Sequence, residues 1–522
     1  MKELPKKELP WVTILTVLCL FLYLPCLGNR DLWGSVEPEY AEVAREAVVD
    51  GHWIIPHYNG EVYTIKPPVY PWLIALVSIP VGDVTEFTAR LPSALSALSM
   101  VLVVYLLGKE LSSQRVGLIA ALILASSPQF YKSACMVRID MPLALFTTSS
   151  LAAFYLGIVR TKNVYCLLGW FFAALATMIK GPLITAMMAL IVFLYLYSRK
   201  ALKLLATPMT LLGAFIFAAT IAGWLLSAYQ EGGYSYIEGL YSWLISYATN
   251  EFHPKSFYFY LPELLGLGPW ALLIPVAIFT FYKNNAEELR LPCIWFLVML
   301  LILSMITSKH SRYLLPLYPA AALLAAVPLD GYLAKSAPIW PGLKTFPLLL
   351  FAVVVGVEIA LLESHCLPSP ALSLALGAVC LFSAVYFALR AAQFRLIFGA
   401  TLLILIAFGV SRYQFLLPRE NERISEKALC QNIVKHMEPG AKWAMYGNLG
   451  PAYIFYTRTY PKNVYTEKEL TEFLSSKERV YCLISEEKLR ELKLPIIEVA
   501  KLKGPSEDNT VFILVSNQPI GG

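Results

Sequence analysis

Residues 11–28 read WVTILTVLCLFLYLPCLG and contain no charged side chain. An apolar run of about 18 residues is long enough to cross a bilayer as a helix. No small-x-small cleavage site follows it, so we interpret the run as a retained helix rather than a secretory signal. The 522-residue chain is 57% hydrophobic and only 15% charged, and similar runs recur along it. The sequence therefore predicts a polytopic α-helical membrane protein.

The hydrophobic pattern predicts about thirteen such spans, which together form a membrane domain over residues 1–411. The region 164–198 allows two interpretations: two short helices broken at Gly181-Pro182, or one helix with a re-entrant piece. The predicted spans are 10–28, 90–108, 114–130, 141–159, 164–179, 181–198, 205–228, 257–282, 292–308, 313–329, 345–362, 369–388 and 396–411.

The basic residues of the short loops all fall on one side of these spans. By the positive-inside rule that side is the cytoplasm, so the N-terminus is predicted to be cytoplasmic. An odd number of spans then places the polar tail, residues 412–522, outside, together with the loops 29–89 and 229–256. The residues that set this orientation are Lys2, Lys6, Lys7, Lys109, Arg115, Arg160, Lys162, Arg199, Lys200, Lys203, Lys283, Arg290, Lys335, Lys344, Arg390 and Arg395.

The net charge of +6 does not indicate a nucleic-acid partner, because the basic residues are scattered over loops and form no stripe. The nine cysteines show no metal-binding spacing. Most lie in apolar runs, where we predict small buried hydrophobic side chains, as at Cys26. In the tail, Cys430 and Cys482 are candidates for a disulfide.

The tail alternates helical and extended patterns and predicts a small α/β domain of about a hundred residues. The predicted helices are 422–436 and 467–475, and the predicted strands are 443–446, 480–484, 496–500 and 511–515.

The first outer loop carries an amphipathic helix. Tyr40, Val43, Ala44, Ala47 and Val48 repeat at helical spacing. The residues before them are Glu37-Pro38; a proline suits the first helical position, so the preceding glutamate is the predicted N-cap. The apolar stretch 69–81 is too short to span a bilayer comfortably and should lie against the membrane or re-enter it.

Charged residues at the predicted outer ends of the spans form the candidate site. Charges at membrane depth are costly and usually face a cavity or one another. Snorkelling or simple ion pairing at helix ends is the alternative explanation for each residue separately. Convergence on one face instead predicts a cationic pocket for a phosphate at headgroup depth. The residues are Glu37, Lys66, Lys132, Arg138, Asp140, Lys180, Lys309 and Arg312.

A phosphate at headgroup depth can belong to a lipid that carries a sugar. Transfer of that sugar would also need a carboxylate that takes a proton from the acceptor hydroxyl. Glu37, at a helix N-terminus, should be stabilised as the anion and fits a base or a metal ligand. The alternative is that Glu37 is an ordinary acidic N-cap.

Four stretches together resemble a known family. They are Asp31–Glu46, which contains Glu37-Pro38-Glu39-Tyr40-Ala41-Glu42; Gly51–Pro68, which ends in Lys66-Pro67-Pro68; Lys180-Gly181-Pro182; and Lys309–Pro319. In these motifs the chain resembles the bacterial lipid-linked sugar transferases of the protein O-mannosyltransferase superfamily, of GT-C fold, and within it the aminoarabinose transferase branch that modifies lipid A.

The resemblance implies an inverting transfer on the periplasmic side of the bacterial inner membrane. It implies a polyprenyl-phosphate sugar donor, with undecaprenyl as the expected polyprenyl chain, and an envelope acceptor such as lipid A or another glycolipid. The implied donor-phosphate residues are Lys66, Arg138, Lys180, Lys309, Arg312 and Tyr313.

The chain departs from the family's pattern at two positions. Val36 stands where the family usually has an Asp before the glutamate, so Asp140, in Arg138-Ile139-Asp140-Met141-Pro142, can share or take the role of the base. Ile65 replaces an acid that often precedes the first-loop lysine, which weakens the case for aminoarabinose and for a metal. His253, before the span at 257, is a candidate ligand of a divalent metal ion or of the donor phosphate, or an interfacial histidine.

Three other functions stay open: a transporter or flippase of lipid-linked sugars, a protein O-glycosyltransferase of the same superfamily, and an inactive scaffold. A transporter should show an internal repeat and charges near mid-membrane. The charges here cluster at one face and no repeat is visible, which favours an enzyme.

Overall fold

The computed structural model describes residues 9–160, 162–249, 254–333, 394–492, 497–505 and 510–518. Within these residues, seven helices are long and apolar enough to cross a membrane, and five shorter apolar helices accompany them. The predicted α-helical membrane architecture is confirmed. The count of thirteen spans stays a prediction, because the spans at 345–362 and 369–388 lie outside the described residues.

The helices before the tail are numbered in chain order. They are α1 (Leu9–Tyr23), α2 (Val36–Val49), α3 (Val69–Ser78), α4 (Glu86–Leu111), α5 (Gln114–Ser126), α6 (Pro128–Ala134), α7 (Asp140–Arg160), α8 (Asn163–Lys180), α9 (Leu183–Ser198), α10 (Pro208–Thr249), α11 (Tyr260–Glu263), α12 (Ile274–Asn284), α13 (Glu287–Met305), α14 (Tyr318–Leu333) and α15 (Phe394–Val410).

The two interpretations of region 164–198 are resolved in favour of two helices, α8 and α9. Lys180 is the last residue of α8, and Gly181 follows with φ +100°. That backbone conformation favours glycine and ends the helix. Pro182 then caps α9 at its N-terminus.

Residues 229–256, predicted as an outer loop, are largely helical, because α10 continues to Thr249 with a break in helical geometry at Gly233 (φ 65°). Their place outside the membrane stays a prediction. One prediction about the first loop is wrong. Glu37 is not the N-cap of the first-loop helix. The helix begins at Val36 with Ser35 as N-cap, since the fixed φ of Pro38 is compatible with any position of the first turn.

The chain divides into two compact units. We call the first, Met1–Cys26, Ile65–Val69 and Ser93–Leu416, the helical unit. A disulfide in this unit joins Cys26, beyond the end of α1, to Cys135, beyond the end of α6. The prediction that Cys26 is a simple buried hydrophobic side chain is therefore wrong.

The second unit, which we call the mixed unit, consists of Leu27–Thr64, Tyr70–Pro92 and Leu417–Gly522. It groups the first outer loop with the tail, whereas the sequence predicted a division at residue 411. Its five-stranded sheet consists of β3 (Lys442–Tyr446), β4 (Lys462–Val464), β5 (Val480–Ser485), β6 (Ile497–Lys503) and β7 (Val511–Ser516). The strand order is β4-β3-β5-β7-β6. β3 pairs parallel with β4 and β5, and β7 pairs antiparallel with β5 and β6. The helices of the tail with seven or more residues that the structure describes are Lys427–His436, Pro451–Thr457 and Glu467–Leu474.

Each face of this sheet packs its own hydrophobic core. Tyr481 and Leu483 of β5 point into one core, and Cys482 into the other. Cys430, on helix Lys427–His436, belongs to the core opposite Cys482. The two cysteines are free, so the predicted disulfide between them is wrong. Adjacent positions of a strand face opposite sides of a sheet, so Cys482 points away from the core that contains Tyr481, Leu483 and Cys430.

Polar contacts join the first loop to the tail inside the mixed unit. Lys427 Nζ lies 3.3 Å from Asp31 Oδ1 and 2.7 Å from Glu86 Oε1. The Tyr456 hydroxyl accepts the backbone N–H of Leu32 at 2.7 Å. A short hairpin of β1 (His57–Tyr58) and β2 (Glu61–Val62) joins the same contacts through Asn59, whose Nδ2 donates to Pro461 O at 3.0 Å. These contacts fix the α2 segment on the tail domain.

Candidate active site

Asp140 is the centre of a buried charged cluster in the helical unit. It is the first residue of α7 and only 1% exposed. Its Oδ1 accepts a hydrogen bond from Lys180 Nζ at 2.5 Å, and Arg312 Nε lies 3.5 Å from its Oδ2. Oδ2 itself has no hydrogen-bond partner within the part of the chain that the structure describes. One carboxylate oxygen is therefore hydrogen-bonded to a cation, and the other lies near a cation but accepts no hydrogen bond within the described residues.

Tyr313 completes this cluster, which lies where three elements end or begin. Lys180 Nζ lies 3.8 Å from the centre of the Tyr313 ring, and Arg312 Cζ lies 5.6 Å from it. Arg312 and Tyr313 belong to a 3-10 segment, Ser311–Leu317, whose Pro316 precedes α14. The structure thus brings together four of the predicted site residues: Asp140, Lys180, Arg312 and Tyr313.

Arg138 lies two residues before α7. Its backbone N–H donates to Ser93 Oγ at 3.2 Å, which anchors the segment to α4. The Arg138 side chain is half-buried, and its Nη2 makes only a weak contact with Met136 Sδ at 3.6 Å among the hydrogen bonds described.

The other two predicted phosphate-binding lysines are also buried. Lys66 is 9% exposed, and the two prolines that follow it restrict its backbone. Lys309 is 3% exposed, and its Nζ donates to the backbone oxygens of Lys255, at 3.1 Å, and Ile306. In this arrangement Lys309 satisfies backbone carbonyls, so its role as a phosphate ligand stays a prediction.

Glu37 is held differently, by two arginines of the mixed unit. Its Oε2 lies 2.7 Å from Arg30 Nη2 and 3.1 Å from Arg90 Nη2, and its Oε1 accepts from Arg90 Nε at 3.2 Å. Arg90 is fully buried and also donates to the backbone oxygens of Leu27, Arg30 and Asp31, at 2.5 to 2.8 Å. Both oxygens of Glu37 are therefore engaged, and the pair fixes the chain where the first loop begins.

Arg30 and Arg90 were not predicted from the sequence as the partners of Glu37. A signal was present, because Arg90 is a charged residue at the start of a predicted span, where an unpaired charge is costly. Its partner could not be named from the sequence, since 53 residues separate the two side chains.

Two further acids of α2, Glu42 and Glu46, are also buried. Glu42 pairs with Arg45 at 2.5 Å. Glu46 is fully buried, and its two oxygens lie 3.3 Å from the backbone N of Gly60. Burial, followed by the negative charge of Glu42, raises the pKa of Glu46 to about 7.

The predicted metal site has little support in the described residues. They contain no group of three or more His, Cys, Asp or Glu side chains that could hold a metal ion. His253 lies outside them. Ile65, at the position where an acid was expected, has no ligand atom in its side chain. We therefore derive no step through a metal.

Comparisons with known proteins agree with this architecture. A family model described as dolichyl-phosphate-mannose-protein mannosyltransferase matches residues 65–226. An undecaprenyl phosphate-alpha-4-amino-4-deoxy-L-arabinose arabinosyl transferase of Pectobacterium atrosepticum is 30% identical over 396 residues, which cover 72% of this chain and 70% of that protein. A protein of Aquifex aeolicus is 30% identical over 315 residues, which cover 59% of this chain and 61% of that protein.

Solved structures share the fold. ArnT from Cupriavidus metallidurans bound to undecaprenyl phosphate aligns with a TM-score of 0.79 at 20% identity, over 98% of both chains. The archaeal oligosaccharyltransferase AglB from Archaeoglobus fulgidus aligns with a TM-score of 0.54 at 14% identity, over 93% of this chain and 70% of that chain. The resemblance found in the sequence motifs is confirmed: the chain belongs to the family of the undecaprenyl phosphate-alpha-4-amino-4-deoxy-L-arabinose arabinosyl transferases, membrane glycosyltransferases of the GT-C fold.

Proposed function

We propose that this protein transfers a sugar from a polyprenyl phosphate carrier, undecaprenyl phosphate by analogy with its relatives, to an envelope acceptor such as lipid A. The observation that carries the proposal is the Asp140 cluster. It combines one buried carboxylate that has an open lone pair with two cations and a tyrosine. Proton transfer and stabilisation of a leaving phosphate need these groups.

Asp140 is the proposed proton acceptor. The acceptor hydroxyl attacks the anomeric carbon of the donor sugar from the side opposite the phosphate, and its proton passes to Asp140 Oδ2. The bond between the sugar and the phosphate oxygen breaks, and the polyprenyl phosphate leaves with an additional negative charge. Lys180 and Arg312 stabilise that charge, with Arg138, Tyr313 and Lys66 as further proposed donor ligands.

Glu37 was the other candidate base, and its contacts favour a positioning role. A base must have a lone pair within reach of the proton that it takes. Arg30 and Arg90 donate three hydrogen bonds to the two oxygens of Glu37, whereas Asp140 Oδ2 accepts none within the described residues, although Arg312 Nε lies 3.5 Å from it. We therefore assign the proton transfer to Asp140.

The proposed location is the bacterial inner membrane, with the active face and the tail on the periplasmic side. The distribution of Lys and Arg over the loops supports this orientation. The disulfide between Cys26 and Cys135 supports it independently, because disulfides form in oxidising compartments such as the periplasm and not in the cytosol. Cys135 precedes Asp140 by one short segment, so the same face carries the cluster.

Mass spectrometry of envelope glycolipids tests the proposal. Cells that express the protein should contain a lipid A, or another glycolipid, that is one sugar heavier than in cells without it. The Asp140→Asn variant should restore the unmodified mass. Identical glycolipids and glycoproteins with and without the protein would refute the proposed function.

A further inference from the structure

Lys132 and Arg412, two cations that the mechanism does not use, interact electrostatically in the helical unit. Lys132 is on α6, and Arg412 is in a π-helical segment, Ser411–Leu416, that follows α15. The residues next to them, Tyr131 and Tyr413, pack with ring centres 5.4 Å apart. The segment is followed directly by the short α-helix Leu417–Arg419, and π-helical turns inserted between α-helical turns are frequent at functional sites.

The backbone around this pair is fixed by shared contacts. The Tyr131 hydroxyl donates to Leu22 O at 2.7 Å, and Gln414 Nε2 donates to the same oxygen at 3.4 Å. A Cβ atom at Gly409 would lie 2.8 Å from Tyr131 Cδ2, so only glycine lets α15 approach α6 this closely. These contacts therefore fix the backbone of Lys132 relative to that of Arg412.

Positive charge accumulates around Lys132. Although its side chain as a whole is exposed, partial burial of its ammonium group lowers its pKa, and the positive charges of three arginines lower it further. The Glu263 carboxylate acts in the opposite direction. The three arginines are Arg138, Arg412 and Arg312.

The carboxylates of this cluster do not neutralise it. Arg312 approaches Asp140, but Lys180 shares that carboxylate. Counting Glu263 as the second acid, the five basic residues named here exceed the two acids by three positive charges. Arg412 Nη1 is buried and donates no hydrogen bond within the described part of the chain. Like charges held together repel one another, and an unmatched buried donor is costly, so the arrangement fits a bound anion.

We propose that Lys132 and Arg412, together with Arg138, form a phosphate-binding subsite beside the Asp140 cluster. The inference rests on the proposed function and extends it. A guanidinium fork and an ammonium group together suit the oxygens of a phosphate ester. A donor phosphodiester carries about one negative charge, whereas a phosphate monoester carries about 1.5 to 2 and balances more of the excess. The ligand is therefore a phosphate monoester, either the carrier lipid after its sugar has left or a phosphate of the acceptor.

Binding measurements on the full-length protein in lipid nanodiscs test this subsite. Lys132→Gln and Arg412→Gln are each titrated with undecaprenyl phosphate, with lipid A, and with lipid A after phosphatase treatment. Losing one charged hydrogen-bond partner should weaken binding of a phosphate ligand about ten- to hundredfold. Arg412→Lys keeps the charge and should lose less affinity than Arg412→Gln. Lys203→Gln removes the same charge from an exposed lysine of the 3-10 segment Leu202–Ala206 and should bind like the parent.

The results separate the two sources of the phosphate. Weaker binding of undecaprenyl phosphate assigns the subsite to the carrier. Weaker binding of intact lipid A, with no change for the phosphatase-treated form, assigns it to the acceptor. If both Gln variants bind every ligand with an affinity within about twofold of that of the parent, the subsite is refuted. Sugar transfer by the parent would in that case still support the proposed function. A parent that binds no phosphate lipid and transfers no sugar would overturn both.

Discussion

Replacing Glu37 with glutamine should lower the stability of the folded protein, and not only its rate of sugar transfer. Glutamine keeps the size of the side chain but removes the charge that Arg30 and Arg90 share, and both arginines are at most 3% exposed. Its amide N–H groups would also face guanidinium donors where Glu37 now accepts three hydrogen bonds. Breaking a buried ion pair from one side typically costs about 3–5 kcal/mol.

Thermal unfolding of the purified protein in detergent, followed by tryptophan fluorescence, measures this effect. Glu37→Gln should unfold at a temperature well below that of the parent. The double variant Glu37→Gln/Arg30→Gln should lose less stability than the sum of the losses of the two single variants, because the second change removes one of the unpaired cations. Asp140→Asn is the comparison variant for activity. If Glu37→Gln unfolds at the parental temperature and yet transfers no sugar, Glu37 is the base and our assignment of its role is refuted.

Two further predictions concern the buried acid of α2 and the disulfide. Because its raised pKa favours protonated Glu46 in the folded state, its contribution to stability is complete below the unfolded pKa of about 4.3 and is lost as pH rises to about 7. Glu46→Gln should therefore flatten the fall in unfolding temperature over this range; equal slopes in both proteins would contradict the pKa. Reduction of the denatured parent should release two additional thiols that react with maleimide, and none in the Cys26→Ser/Cys135→Ser variant. That variant should lose about 2–5 kcal/mol of stability, and an unchanged unfolding temperature would argue against a structural disulfide.

Local sequence patterns predicted most of the elements, because hydrophobic runs and strand alternation are properties of short segments. Of the tail strands, β3, β5, β6 and β7 were found within a few residues of their ends. The three-residue strand β4 (Lys462–Val464) was missed, since it is too short to show an alternation. The helical course of 234–249 was missed because the hydrophobic pattern ended the predicted span at residue 228, and the segment after it was assigned to an outer loop.

The candidate site was only partly accessible from the sequence. Topology and motifs identified Asp140, Lys180, Arg312 and Tyr313, and the fold brings these residues together. The partners of a charge are set by packing between distant segments, so the roles of Glu37 and Asp140 could not be separated in advance. The disulfide at Cys26 was missed for the same reason, because its partner is 109 residues away in the sequence.

Sugar transfer by Asp140→Asn is the direct test of Asp140 as the proton acceptor. The parent and the variant are reconstituted in vesicles with a labelled polyprenyl phosphate sugar and lipid A, and labelled lipid A and free polyprenyl phosphate are measured together. The parent should form both products in equal amounts, and only when the acceptor is present. Loss of the proton acceptor should slow Asp140→Asn about a hundred- to ten-thousandfold. Transfer by Asp140→Asn at the parental rate would rule out Asp140 as the proton acceptor.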